Sequence, residues 1–499
     1  MEKKVVLCVI DSFNPIVLED CFRRDWVPAL QFLRNNGFYH KDCVSVFPTM
    51  TPTAAASIAT GHHPDRHGIG GFIWYHPTEK RIVNYGATPM AIKQIGAKQV
   101  IKELIYNLNT RHLSPSIPTL YEALNSQGVS SGCINFFVNR GYHSYDAVIP
   151  FSLRLLTRFQ LKTQSIKGPD ELILGKVVCP KWLNPKGAPA APWNKFGVND
   201  LFSGYALKEM IKKDRLPSFT LAYFPDTDAM AHDHGPMRTH KSIRRVDRQL
   251  AGVLNLFGSW DKALEEIAFI VVGDHSQTLI GKSRRHLIDL VEKFDKLDQL
   301  RLGSRHQNET LAISPNERMA IVNFPTGDTV IRETVIRILA RDYRISQVMW
   351  KQGDEYRVVQ GGSGRKLAFK PGGNYWDRYN QDWSWHGDLK VLDMRLQDCQ
   401  LVDGDYPNAF YRVKAALESS PGAVFLSALP GYEFKGEHAP LHPGGGSHGS
   451  LHKEDSLVPL IIAGLEKDIS NPRITSFMSY LTDHFAVKLE HPQKLKTVT

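Results

Sequence analysis

No apolar run in this 499-residue chain approaches the roughly 20 residues that a membrane-spanning helix requires. The opening MEKKVVLCVIDSF places Asp11 too early for a signal-peptide core followed by a small-residue cleavage site. Cysteine is scarce: the six (Cys8, Cys21, Cys43, Cys133, Cys179 and Cys399) lack C-x-x-C spacing. Free, mostly buried thiols in a reducing compartment fit that usage better than a disulfide framework. Cytoplasmic residence is the expectation. Internal repeats and low-complexity segments are lacking as well. The net charge of +10 comes without a basic stripe or a nucleic-acid-binding module, so specific nucleic-acid binding is not expected. The basic excess reads as solvated surface, and it also suits anionic substrates or an anionic membrane surface. The segment FSLRLLTRFQLK admits either peripheral membrane contact or a cap helix. Oligomeric state is left open by the sequence.

What the chain does have is a series of short apolar runs alternating with helical patterns. VVLCVI, CVSVF, CINFFV, FTLAYF, AFIVVG and VPLIIAG read as buried strands, and the segments between them carry helical periodicity. Strands alternating with helices predict an α/β fold with a mostly parallel central sheet. Residues 140–200 are proline-rich with mixed periodicity and read as a cap insertion. From about Leu311 the texture changes, and 321–401 reads as an inserted, smaller α+β subdomain rich in strands. The catalytic core is then expected over 1–320 and 402–499, with AVFLSALPG and VPLIIAG resuming the main sheet.

Chemistry-bearing side chains stand where these runs stop or start. Asp11 follows VVLCVI, Asp228 and His232 follow FTLAYF, Asp274 and His275 follow AFIVVG, and His448 precedes VPLIIAG. Open α/β sheets bind ligands beyond the carboxyl ends of their strands, so these residues are expected to converge on one edge. Asp228 and His232 are spaced i, i+4, one face of a helix, and are ligand types that suit zinc or manganese. Asp226 is a rival for Asp228, and Asp233 and His234 crowd the same segment. Thr51 is followed by Pro52 and by TAAASIAT ending at Gly61, which predicts a helix with Thr51 at its N-cap, an anion-favouring position. Thr49 and Thr53 are near enough to compete with it.

The segments VIDSF, PTMTPTAAASIATGHHPDRHGI, TDAMAHDHGP, VVGDHSQ and GGSHGSLHKEDSLVPLIIAG resemble, in order, the metal-binding motifs of the alkaline phosphatase superfamily. The branch they resemble is the type I phosphodiesterase / nucleotide pyrophosphatase group. The resemblance implies a three-layer sandwich around the central sheet and two divalent ions, zinc or else manganese, bridged by the phosphate of a small phosphate ester. By motif position Asp11, Thr51, Asp274 and His275 would hold one ion, and Asp228, His232 and His448 the other; the D-x-x-x-H pattern before Gly-Pro selects Asp228 over Asp226. It further implies in-line attack by Thr51 and a covalent phospho-threonine.

Two positions depart from that group's pattern. HGIGGF puts Phe72 where an asparagine is usual, and Met50 stands where lysine often precedes the nucleophile. Diester specificity is therefore open, with a phosphomonoesterase, a phosphonate hydrolase or a phosphoryl-transfer or mutase enzyme as alternatives. A silent binding protein of the same fold is the reading from another class. Trp74, Tyr75, Tyr85 and Trp385 are candidates for stacking on a leaving group, and Arg284, Arg285 and His286 for meeting a distal phosphate. His62, His63 and His67 read as structural.

Overall fold

The computed structural model describes residues 2–157, 159–160, 163–183 and 188–488. Its frame is a seven-stranded sheet in the order Gly37–Val44, Leu457–Ala463, Ile267–Gly273, Lys4–Ile10, Phe219–Phe224, Ser131–Ile134, Glu171–Ile173. Leu457–Ala463 pairs antiparallel with both of its neighbours, and the other pairings are parallel. The chain is thus a mixed α/β protein.

The first strand shows why its sequence is apolar throughout. Side chains alternate between the faces of a strand, and Val5, Leu7 and Val9 join one hydrophobic cluster while Val6, Cys8 and Ile10 join another on the opposite face. The register then aligns the strand ends. Ile10 sits beside Gly273 on one side and Phe224 on the other. Asp11, Asp274 and the segment after Phe224 therefore leave the sheet at one edge. Because Leu457–Ala463 runs the opposite way, the residues just before it arrive at that same edge.

A second, nine-stranded sheet takes strands from Ala312–Asn316 through Gln400–Val402, and also Val424–Ala428. This last strand corrects an expectation: AVFLSALPG does not resume the main sheet but lies between Met319–Asn323 and Ile345–Gln352. A strand buried on both faces reads as a continuous apolar run whichever sheet it enters, so the pattern alone cannot assign it.

The tip of the Ala312–Asn323 hairpin is pinned to the main body. The Arg318 guanidinium, fully buried, donates to the equally buried Asp455 carboxylate and to Thr278 Oγ1. The other Asp455 oxygen accepts from Ser450 N at 2.8 Å. Asp455→Ala would strand a buried cation, and a loss of about 3–5 kcal/mol is expected in urea unfolding. A loss under about 1 kcal/mol would show that the pair does not hold the hairpin.

All six cysteines are free, four of them buried. Among the described residues no helix is long and apolar enough to cross a membrane. Of the FSLRLLTRFQLK segment, Phe151–Leu156 forms a short helix, while Arg158, Leu161 and Lys162 lie outside the described residues.

Candidate metal centre

Past the shared sheet edge, Asp11, Asp274 and His275 close on one another. His275 Nε2 lies 3.4 Å from Asp11 Oδ1 and 3.6 Å from Asp274 Oδ2. Both of these carboxylate oxygens are buried and meet no hydrogen-bond donor among the described residues. Buried acceptors are normally satisfied, so a pair left facing one imidazole suits a cation between them. The remaining oxygens are held in place: Tyr223 donates its hydroxyl to Asp11 Oδ2, and Asp274 Oδ1 accepts from His275 N at 2.8 Å and Ser12 N at 3.2 Å. Burial, reinforced by the neighbouring carboxylates, pushes the Asp11 carboxyl well above its usual range and Asp274 up to about 8.

Thr51 joins this group. Its Oγ1 lies 3.1 Å from His275 Nε2, and the side chain is buried. The helix spans Thr51–Thr60 and ends at Gly61 in the left-handed region. The N-cap, however, is Met50, with Thr51 as the first helical residue. This corrects the expectation of Thr51 as cap. Methionine has no oxygen for capping, and the Thr51 hydroxyl faces His275 rather than its own helix. Thr49 is bonded instead to Ser450 O and Gly449 N.

A second group gathers on Asp228, His232 and His448. Asp228 and His232 fall one turn apart on the helix Asp226–His234, with His232 Nε2 3.2 Å from Asp228 Oδ1. His448 Nε2 lies 3.8 Å from the same oxygen. His232 Nδ1 donates to Gly446 O at 2.8 Å and His448 Nδ1 to Thr49 O at 2.6 Å. A carbonyl can only accept, so each Nδ1 carries a proton and Nε2 is the nitrogen turned inward, the usual orientation of a metal-binding imidazole. Asp226 is turned away, accepting from Asp200 N and facing Arg245. His275 and His448 stack with centroids 3.9 Å apart, joining the two groups.

The glycine run before His448 has a steric cause. A Cβ on Gly445 would fall 1.8 Å from His232 O, and one on Gly446 2.2 Å from Gln277 Oε1. Gly445→Ala must displace the His232 backbone. We expect metal affinity, read against a chelating dye, to fall on the order of 10-fold or more; wild-type affinity would show that this close approach does not position His232.

Two residues that no motif announced stand beside the second group. Glu317 and His442 form a candidate ligand set with His232. Burial pushes the Glu317 carboxyl up, but the His448, His232 and His442 imidazoles outweigh it and hold it at about 2. Asn316, next to it, bonds the backbone where the HGIGGF segment ends: its Oδ1 accepts from Phe72 N and Ile73 N, each at 2.8 Å.

The four substrate candidates are spread out. Trp74 and Tyr85 are buried and gather around His112, which Tyr85 meets through its hydroxyl at 2.8 Å. Trp74 and Tyr75 line a cleft of about 410 Å³. Arg284 is exposed on a short turn, Arg284–His286. A further candidate ligand set, His76, Glu79 and His112, lies in the Trp74–Tyr85 neighbourhood, but Arg81 is paired there with Glu79 and Glu103. Of the histidines beyond the Thr51–Thr60 helix, His67 meets Ser57 Oγ at 2.9 Å and His63 packs on Tyr411.

Against protein-family models, residues 5–362 match the one described as Type I phosphodiesterase / nucleotide pyrophosphatase. No curated protein matches the chain.

Proposed function

This chain belongs to the type I phosphodiesterase / nucleotide pyrophosphatase family, within the alkaline phosphatase superfamily, and from that premise we propose that it hydrolyses phosphodiester or related phosphoryl bonds of a small-molecule ester by in-line attack of Thr51. The family supports a phosphoester hydrolase, and its members are metal-dependent. The carrying observation is the position of Thr51 Oγ1, at the start of a helix and 3.1 Å from His275 Nε2 in the Asp11–Asp274 group. An alkaline phosphatase-like sandwich is the fold this reading assumes.

Two divalent ions, zinc or else manganese, fit the donor sets. Asp11, Asp274, His275 and Thr51 would hold one, and Asp228, His232 and His448 the other. When bound, such a pair supplies Lewis-acid charge that lowers the pKa of the nucleophile and neutralises the oxygens of an in-line displacement.

The remaining chemistry belongs to the chain. Thr51 Oγ1 gives up its proton to solvent and forms a bond to phosphorus as the bond from phosphorus to the leaving oxygen breaks, and that oxygen takes up a proton from solvent and departs as an alcohol, giving a phospho-threonine. Water then attacks phosphorus, the phosphorus–Oγ1 bond breaks, and the threonine hydroxyl is restored. The amino end of the Thr51–Thr60 helix favours the phosphoryl anion through its dipole and first-turn N–H groups. Gln277, which donates to Asp228 Oδ1 at 2.7 Å, and Ser12, which does so at 2.8 Å, keep that carboxylate oriented.

Phe72 favours keeping a second reading, with a monoester or phosphonate as substrate, because an aromatic ring cannot donate to a non-bridging oxygen as asparagine can. Its ring packs edge-on against Tyr85. Nitrophenyl phosphate mono- and diesters with added zinc or manganese separate the readings. Diester turnover is expected to exceed monoester turnover, and the reverse order would favour the second reading.

A further inference from the structure

Glu317 lies outside every motif that carries the family resemblance, yet it faces the second ligand group. It occupies the turn of the Ala312–Asn323 hairpin with a φ of +59°, and its side chain is 6% exposed. Oε2 is committed to the backbone and side chain of the loop opposite, accepting from Ser447 Oγ at 3.0 Å and His448 N at 3.1 Å. Those bonds aim Oε1 at two imidazoles: His448 Nε2 lies 3.6 Å away and His232 Nε2 3.8 Å away. These are the same nitrogens that turn inward toward Asp228.

We propose that Glu317 Oε1 is a protein ligand to the ion held by Asp228, His232 and His448, completing a set of two carboxylates and two imidazoles. The inference rests on the proposed two-ion phosphoryl chemistry and adds a ligand to it. Oxygen and imidazole donors in this ratio suit zinc or manganese. His442 acts as a positioning residue. It stacks on His232 at 4.0 Å, and its Nδ1 lies 3.8 Å from Glu317 Oε2 and 3.4 Å from Glu433 Oε2. It therefore backs both the new ligand and an old one.

The added carboxylate has a consequence for the substrate. Asp11 and Asp274 offset the two charges of one ion, and Asp228 and Glu317 those of the other. The ion pair then retains no net positive charge to reward a second negative charge on the phosphoryl group. A singly charged diester matches such a site better than a dianionic monoester, which is the bias the reading above requires in the absence of an asparagine at position 72.

Cobalt(II) titration of the full-length protein, followed by visible absorption and equilibrium dialysis, tests this. The wild type is expected to bind two ions. Glu317→Gln is expected to bind one as tightly as before and the other at least tenfold more weakly, with the diester-to-monoester ratio of kcat/KM falling in parallel. Glu317→Asp, which keeps the charge but withdraws it by one methylene, should weaken the same ion and remains informative if the glutamine variant does not fold. Wild-type cobalt affinities in either folded variant would overturn the Glu317 assignment and leave the two-ion reading standing. A wild-type protein that takes up no cobalt would overturn the two-ion reading itself, and the assignment with it.

Discussion

Thr51→Ala is expected to lower kcat on a nitrophenyl phosphodiester on the order of 10⁴-fold while leaving the fold and the cobalt stoichiometry intact. The size follows from the role. Removing a covalent nucleophile takes away the reaction path itself, leaving only what ion charge and substrate binding give to direct attack by water. The fold should tolerate the change, because alanine suits a helix's first turn and Thr51 makes no capping bond there. Thr51→Ser, which keeps an oxygen at the same place, should recover most of the loss. Turnover within tenfold of wild type in Thr51→Ala would remove the nucleophile from the mechanism.

Chelation should abolish turnover and also change how stability depends on pH. In the ion-free protein Asp274 titrates near 8, raised chiefly by burial, and Asp11 is raised as well, whereas an unfolded aspartate titrates near 3.9. A raised carboxyl pKa means that the folded state binds the proton more tightly. Its stabilisation is therefore complete below about pH 4 and is lost as the pH rises through about 8. Ion binding has the opposite sign, because the ligand carboxylates must give up their protons to bind. The gap in Tm between ion-loaded and chelated protein should therefore widen steadily from pH 5 to pH 8, as read by thermal unfolding with and without EDTA. A gap that narrows over this range would mean that the buried carboxylates do not face an ion.

The parts of this site that could be read from sequence are those fixed by strand ends. Asp11 and Asp274 end runs that are apolar because both faces of their strands are buried, and the shared register of Ile10 with Gly273 brings them to one edge. The i, i+4 spacing of Asp228 and His232 needed only a helix. Glu317 is different. It reaches the site because a hairpin of the second sheet docks there through Arg318 and Asp455, residues 137 positions apart. NER in that stretch reads as an ordinary polar turn, and no periodicity records where such a turn lands. The cap of the Thr51–Thr60 helix falls one residue earlier than the Pro52 pattern predicts, within the one- or two-residue spread of any helix end. For Trp74 and Tyr85, composition marked aromatic side chains near an expected loop, but not that they would pack on His112. That histidine ends a ten-residue π-helix, Glu103–His112, a conformation with no sequence signature.

Stereochemistry at phosphorus tests the covalent threonine most directly. With a diester substrate of defined configuration at phosphorus, bearing sulfur in place of one non-bridging oxygen, attack by Thr51 and then by isotopically labelled water inverts the centre twice. Net retention is the expected result. Net inversion would mean a single displacement by water and would contradict the phospho-threonine.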